Sequence, residues 1–592
     1  MAASSRSRPG PWDKPPRYLI LLFCLLALLF AVSLFAHISY PLFWADEGMT
    51  VMHAERVLEY GYPKVHDGKN VLYDLRHPDP ALGLDKKTDA YIGGANWGMY
   101  YFAAPFVRLA GFSRDIYAKT AIIRSAFALA GFAGLAVLAL LGVQCFETAA
   151  SKTGFLVFFA FFELISVPLV LHLREARYYP LAVLLVSGMI FVHARYRLLA
   201  KMGYAAYCAL TVLALDALYV TFSPAYFIFL AALAAHESLL LAQERCSGHL
   251  PKAGGTWSGF AALLKNLLPP AFSLLTVYPL MAFFRTSYIA KEMAAFNALS
   301  AGTDGLHMYL DNLSTIWRFF SVFDFIWLAV FLKACRALRM IWMRHEVPSA
   351  SDRGKTALSN FLTILFVVYF FAIPAIPNFL FTRYFIPLQP VLAVIIIADA
   401  AVVYNFAAGR KRGARAAAAA MALICLGCVG NTTAKNIKYI EGHLYELTHR
   451  YRGPLDYVIP FIRENYEDTG RLVIATNYEE TSFMYYLGAK VVVGFVGNNL
   501  EEDSGAAPDL IVYRTSWGNF GDLFEKFLRE YRYERIAFPA GDYPMNNLPE
   551  LNWNPPFIHR FGNEPGSGAP EVQLFVRSGS GRGPAGAGDG TR

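Results

Sequence analysis

Cysteine is scarce in this chain of 592 residues, with seven, at positions 24, 145, 208, 246, 335, 425 and 428. None falls in a segment expected to lie outside a membrane, so no disulfide framework is implied there. Cys425 and Cys428 form a CxxC pair inside an apolar run, where small packing residues explain them better than a metal site. Charge is scarce too, at 17% of residues against 56% hydrophobic and 15% aromatic, which excludes a soluble protein of several domains. The chain also lacks an internal repeat, and its last third carries no phosphate-loop or dinucleotide fingerprint. No small-residue cleavage site follows the first apolar run, which therefore reads as an uncleaved anchor.

What fills the sequence instead is apolar runs of membrane-spanning length. They lie near 18–40, 119–145, 154–172, 178–194, 203–222, 225–243, 263–284, 319–334, 357–377, 384–406 and 414–430, eleven in all. Lys and Arg crowd alternate connections, such as Arg195, Arg197 and Lys201, or Arg410, Lys411, Arg412 and Arg415. With Arg6, Arg8, Lys14 and Arg17 on the same side, this is the positive-inside pattern, and the N-terminus is expected in the cytoplasm. The net charge of +8 is then a matter of topology, and no nucleic acid is expected as a partner.

An odd number of spans puts the chain from Asn431 onward outside, together with the loop that follows the first span. The expected fold is a polytopic α-helical membrane protein of about 11 transmembrane helices, with interfacial helices in the first external loop and a small C-terminal α/β extracytoplasmic domain. Its parts are a disordered tail (1–16), a membrane body (17–430, first external loop 41–118), the external domain (431–577) and a Gly-rich disordered tail (578–592). Within the external domain, helices are expected at 454–465, 481–487 and 524–531. Strands are expected at 471–476, 490–495, 510–513, 536–538 and 572–576. Such alternation suits a small α/β unit that engages substrate or supports the body.

Two adjacent carboxylates, Asp46 and Glu47, emerge at the membrane surface after the first run. Val51, Ala54 and Leu58 then recur at helical spacing while His53, Glu55, Arg56 and Glu59 point elsewhere, which predicts an amphipathic helix along the membrane, ended by Gly61 and Pro63. Asp46 would also serve as that helix's N-cap. The polar stretch with His66, Asp67, Asp74, His77, Asp79, Asp85 and Asp89 fits no metal-ligand template and is expected to be a solvated loop.

Between the third and fourth runs the chain barely surfaces, and His172, Arg174, Glu175 and Arg177 are packed with Tyr178 and Tyr179 into one tight turn. A charge at the bilayer centre costs about 2.5–3.5 kcal/mol, so these groups belong at the boundary. They are either snorkelling anchors or an anion site, because guanidinium forks match phosphate oxygens. Arg383 and Tyr384 make a second basic and aromatic cluster on the same face. The loop 285–318 is a lid or a plain linker. Glu163, Asp216, Asp324 and Asp399 should face the bundle interior or a cavity.

Together these stretches resemble the GT-C glycosyltransferases, in particular the bacterial branch related to protein O-mannosyltransferases and the lipid A aminoarabinose transferase. The likeness rests on Asp46-Glu47 with Ala54 and Gly61 behind them, on the EARxY-like turn Glu175, Ala176, Arg177 and Tyr179, on the RYxxPL-like stretch Arg383, Tyr384, Pro387 and Leu388, and on Arg124 in the second span. Where many relatives have a His-Pro-Pro-Leu-Tyr-Tyr type segment, this chain has Asn96 to Tyr101, which leaves the acceptor open.

The resemblance implies transfer of a sugar, with inversion, from a polyprenyl-phosphate donor to a lipid, glycan or protein acceptor on the external face of a bacterial inner membrane, the periplasmic side. Asp46 would be the general base, and Glu47 would orient the acceptor or help hold a divalent cation; no cofactor is required otherwise. Arg174, Arg177 and Arg383 would bind the donor phosphate, supported by His172, Glu175, Tyr179, Tyr384 and Arg124. The alternatives are a transporter or flippase of lipid-linked glycans and a non-catalytic scaffold of the same fold.

Overall fold

A computed structural model describes residues 15–72, 83–93, 97–246, 255–291, 305–342, 350–375, 381–408, 412–494, 499–515, 520–542 and 570–579. Asp74, His77, Asp79 and Asn96, together with nearly all of both expected tails, lie outside the described residues. Seven of the described helices are long and apolar enough to cross a membrane, or nine when each of two bent pairs is counted as one span. The chain is a multi-pass membrane protein.

The body begins with α1 (Arg17–Phe35), apolar throughout, whose Leu21, Leu25 and Leu28 remain exposed on its lipid side. Next come the short α2 (Ala45–Tyr60) and α3 (Trp97–Ala110), then α4 (Ile116–Val143). The expected span 154–172 is corrected here to two helices, α5 (Ala149–Ile165) and α6 (Val167–Leu173), set at 79° about Ser166. Pro168 accounts for the break, since it has no N–H to continue α5 and is tolerated in the first turn of α6. Helix α7 (Tyr178–His193) runs on through a π-turn to Leu198.

The runs expected at 203–222 and 225–243 form α8 (Tyr204–Cys246), two helical stretches that meet at a kink where the Phe222 backbone leaves helical geometry, two residues ahead of Pro224. After α9 (Gly255–Phe283), the expected span 319–334 is also corrected. Helices α10 (Gly305–Phe323) and α11 (Ile326–Trp342) meet at 92° around Asp324, so the second half of the expected 285–318 loop is helical. Its Glu292, Gly302 and Asp304 lie outside the described residues. The body closes with α12 (Ala350–Ala372), a 3-10 turn (Thr382–Leu388) and α13 (Gln389–Ala408). Helix α14 (Arg412–Thr448) contains the expected run at 414–430 and passes straight through the expected domain boundary at 431.

The C-terminal α/β unit therefore begins at α15 (Leu455–Asn465). Strands β3 (Val473–Thr476), β4 (Lys490–Val492), β5 (Leu510–Tyr513), β6 (Tyr533–Gly541) and β7 (Glu571–Arg577) form one sheet in the order β4-β3-β5-β7-β6; β1 (Leu84–Asp85) and β2 (Ala90–Tyr91) are a small hairpin in the first loop. The β4-β3-β5 part is parallel, crossed over by α16 (Glu480–Leu487) and the short α17 (Leu500–Asp503), and β7 and β6 add antiparallel, with α18 (Gly521–Glu530) ahead of β6. This mixed sheet agrees with the alternation read from the sequence, apart from α17.

All eight residues of α16 are buried, and the helix docks on the start of α2. Thr481 donates to the Ala45 carbonyl at 3.1 Å, and Ser482 donates to the Phe43 carbonyl at 2.6 Å. A Cβ on Gly48 would lie 2.6 Å from Thr481 Oγ1 and 3.0 Å from the Ser482 backbone nitrogen, so glycine permits this approach. Helix α2 is thus covered by protein over most of its length, up to Val57. His53 and Arg56, expected on its outer side, are buried, and Leu58 is 43% exposed. An amphipathic pattern cannot distinguish lipid from a protein partner, and here the polar residues find partners inside. Arg56 pairs with Asp67, while the His53 ring packs against Tyr91 and Tyr100 at 4.6 Å from each.

Candidate functional site

Helix α2 is capped by Trp44, in extended conformation and without a side-chain cap bond, so Asp46 is not the N-cap and sits in the first helical turn. Successive residues on a helix point about 100° apart. Asp46 and Glu47 therefore enter different surroundings.

Glu47 is fully buried. Its Oε1 accepts from Arg124 Nε at 2.8 Å and from the Ala176 amide at 2.9 Å, and its Oε2 accepts from Arg124 Nη2 at 2.5 Å. Arg124 uses its remaining nitrogen, Nη1, on the Ile38 and Pro41 carbonyls, at 3.1 and 2.6 Å. This bidentate pair fixes α2 to α4 and to the turn before α7. Both carboxylate oxygens of Glu47 are thereby engaged.

Asp46 has 22% of its side chain exposed, and its Oδ2 lies 3.3 Å from Arg177 Nη2 and 3.5 Å from Arg383 Nη2. Arg177 caps α7 from an extended backbone and also donates Nη1 to the Asp46 carbonyl at 3.1 Å and to Thr50 Oγ1 at 3.3 Å. Arg383 arrives from the 3-10 turn before α13, stacked 3.8 Å over the Phe381 ring and 5.6 Å from that of Trp44. Two guanidiniums from separate stretches thus converge on one carboxylate oxygen.

Arg174, expected with them, is not there. It ends α6 and turns back to donate to the Ala36 carbonyl at 2.7 Å, lining a separate cavity with His37, Arg124 and Glu446. Burial lowers its pKa to about 10. Glu175 is buried beside it, with Oε2 3.1 Å from His172 Nδ1, and burial, with Glu47 next, pushes its carboxyl well above the usual range. Tyr179 is buried, its ring 5.2 Å from that of His172, and its hydroxyl makes no hydrogen bond among the described residues. The Tyr384 carbonyl accepts from Tyr369 at 2.7 Å, and this holds the turn that carries Arg383.

Thr50, Trp44 and His53 belong to the same locality and were not singled out by spacing. Burial, with Arg56 and Arg177 next, lowers the His53 pKa to about 3, so its ring is neutral. A divalent cation does not suit this donor set, because Glu47 has both oxygens engaged and two guanidiniums flank Asp46. Among the described residues one His/Glu group elsewhere has ligand spacing, His193, His236 and Glu237, whose ligand atoms lie within 4.8 Å of one another. These atoms are already occupied. His193 Nε2 meets His236 Nδ1 at 3.0 Å, and Glu237 accepts from Arg197 at 2.7 Å and from Asn266 at 2.9 Å.

Fold and site together define a helical membrane protein with a buried acid-arginine clamp and, beside it, a partly open carboxylate under two arginines. No family model and no curated protein matches the sequence. Among solved structures the chain is similar to the crystal structure of ArnT from Cupriavidus metallidurans in the apo state, at 13% identity and a TM-score of 0.47, covering 88% of this chain and 96% of that one. It is likewise similar to ArnT from the same organism bound to undecaprenyl phosphate, at 12% identity and a TM-score of 0.49, covering 94% and 98%.

Proposed function

We propose that this chain is a membrane glycosyltransferase that moves a sugar from a polyprenyl-phosphate donor to a lipid, glycan or protein acceptor at the membrane face where Asp46 lies. The observation that carries this reading is the convergence of Arg177 and Arg383 on the partly exposed Asp46.

In the reaction, an acceptor hydroxyl attacks the anomeric carbon from the side opposite the phosphate and gives its proton to Asp46. The bond from that carbon to the phosphate oxygen breaks with inversion, and both electrons leave with the polyprenyl phosphate. Arg177 and Arg383 stabilise the charge that gathers there. Until the donor arrives, Asp46 is their counter-ion. Glu47 acts as a positioning residue through Arg124 and the Ala176 amide, and Arg174 takes no part at the phosphate.

A transporter or flippase of lipid-linked glycans is the second reading, favoured by the two broken helices. Their breaks are tied together by Gln389, which donates to Ser166 Oγ and to Asp324 Oδ2, each at 2.8 Å. The test is sugar release from radiolabelled polyprenyl-phosphate sugars by the purified protein in nanodiscs, with and without chelator. Turnover that survives chelation and collapses in Asp46→Asn supports the transferase. Absence of turnover with every donor, or full activity in the variant, sinks it and promotes the transporter or the scaffold.

A further inference from the structure

The end of the bundle away from Asp46 carries a second charged cavity that the proposed reaction does not use. Helix α7 leads there: from Arg177 to Leu198 at about 1.5 Å per residue it covers roughly 30 Å. A cleft of about 430 Å³ opens beside Leu198 between α8, α11 and α12, and Lys333, Arg336 and Arg353 line it. An almost wholly apolar cavity of about 270 Å³, walled by Ala329, Val330, Phe366 and Phe370, continues from it, and the two share Lys333 and Thr363.

The sequence spacing produces this shape. On α11, positions 326, 329, 330, 333 and 336 share one helix face, and on α12 so do 353, 356, 360, 363, 367 and 370. Each face is basic or hydroxylated at one end and apolar at the other.

The charges do not cancel. Asp399 accepts Lys333 at 2.9 Å and also pairs with Arg336, so one carboxylate answers two cations. Arg353 is exposed and forms no ion pair among the described residues. The neighbouring Asp352 is already shared by Arg339 at 3.4 Å and Lys355 at 3.7 Å.

We propose that this groove binds an anionic phospholipid of the leaflet opposite the Asp46 face, with its phosphate at Lys333, Arg336 and Arg353 and an acyl chain along Val330 and Phe366. Guanidinium and ammonium groups at the membrane boundary favour a phosphodiester head group of net negative charge over one whose phosphate is balanced by its own cation, and the adjoining apolar walls favour a chain-bearing ligand over a free anion. The proposal does not depend on the chemistry at Asp46.

The test is native mass spectrometry of the full chain released from nanodiscs made of equal parts phosphatidylglycerol and phosphatidylcholine, for wild type, Arg353→Gln and Val330→Trp. Both substituted side chains are exposed, and circular dichroism checks that each variant keeps its helices. Retained phosphatidylglycerol should exceed phosphatidylcholine about ten-fold in the wild type, and each variant should lose most of that excess, since one charge-assisted contact is worth roughly a factor of ten. Equal retention of the two lipids, or an undiminished excess in both folded variants, would overturn the proposal. So would complete displacement of the lipid by millimolar inorganic phosphate, which would mark a free-anion site.

Discussion

Glu47 takes both of its carboxylate oxygens to Arg124, at 2.8 and 2.5 Å, in a fully buried bidentate pair. The neighbouring Asp46, about 100° further round the helix, is thereby aimed at Arg177 and Arg383. One carboxylate sets the orientation of the other.

Removing one partner of a buried pair leaves an uncompensated charge, which costs about 3–5 kcal/mol. Glu47→Gln should therefore lower the thermal unfolding temperature sharply in a detergent melt. The double replacement Glu47→Gln with Arg124→Leu should recover part of the loss.

The docking of α16 on α2 depends on the bare backbone at Gly48. Gly48→Ala places a methyl against the Ser482 backbone nitrogen, which cannot swing aside, and overpacking of this kind costs about 1–3 kcal/mol. Limited proteolysis should cleave the C-terminal α/β unit faster in this variant, with sugar transfer reduced because α2 carries Asp46.

Asp456 fastens the other side of the same junction, accepting from the Leu42 amide at 3.2 Å and the Gly453 amide at 2.8 Å. Burial raises its pKa to about 7, against an unfolded value of about 3.9. A raised acid favours folding most when protonated in both states, so its contribution is full below about pH 4 and is lost as pH climbs through 7. Melts between pH 5 and 8 should show wild-type stability falling with pH, and Asp456→Asn should flatten that slope whatever its absolute stability.

The two arginines of one turn should separate functionally. Arg177→Gln, like Arg383→Gln, should cut sugar transfer by about 10²–10³, the usual effect of losing a group that stabilises developing charge. Arg174→Gln should leave the rate at saturating donor within a few-fold, because that side chain faces the Ala36 carbonyl. Initial rates with a common donor check both.

Much of the C-terminal α/β unit was legible in the sequence. Leu510–Tyr513 and Lys490–Val492 are short apolar strands between polar turns, and their period survives any packing. The breaks at Ser166 and Asp324 were not legible, because apolar residues continue on both sides of each turn and hydropathy does not register direction. That Asp46 and Glu47 stand together at the start of a helix after the first apolar run was legible. Which of the two stays open was not, since that depends on Arg124, far along the chain, and on α16 further still. His53 escaped for the same reason: its neighbours Tyr91 and Tyr100 come from another part of the loop.

The most direct test of Asp46 as the base between two arginines is the initial rate of sugar transfer by Asp46→Asn at saturating donor, with donor binding measured on the same preparation. The account predicts a rate lower by about 10²–10⁴, the usual share of a general base, while donor binding is kept or tightened because the competing carboxylate is gone. A variant that transfers sugar at the wild-type rate would contradict it.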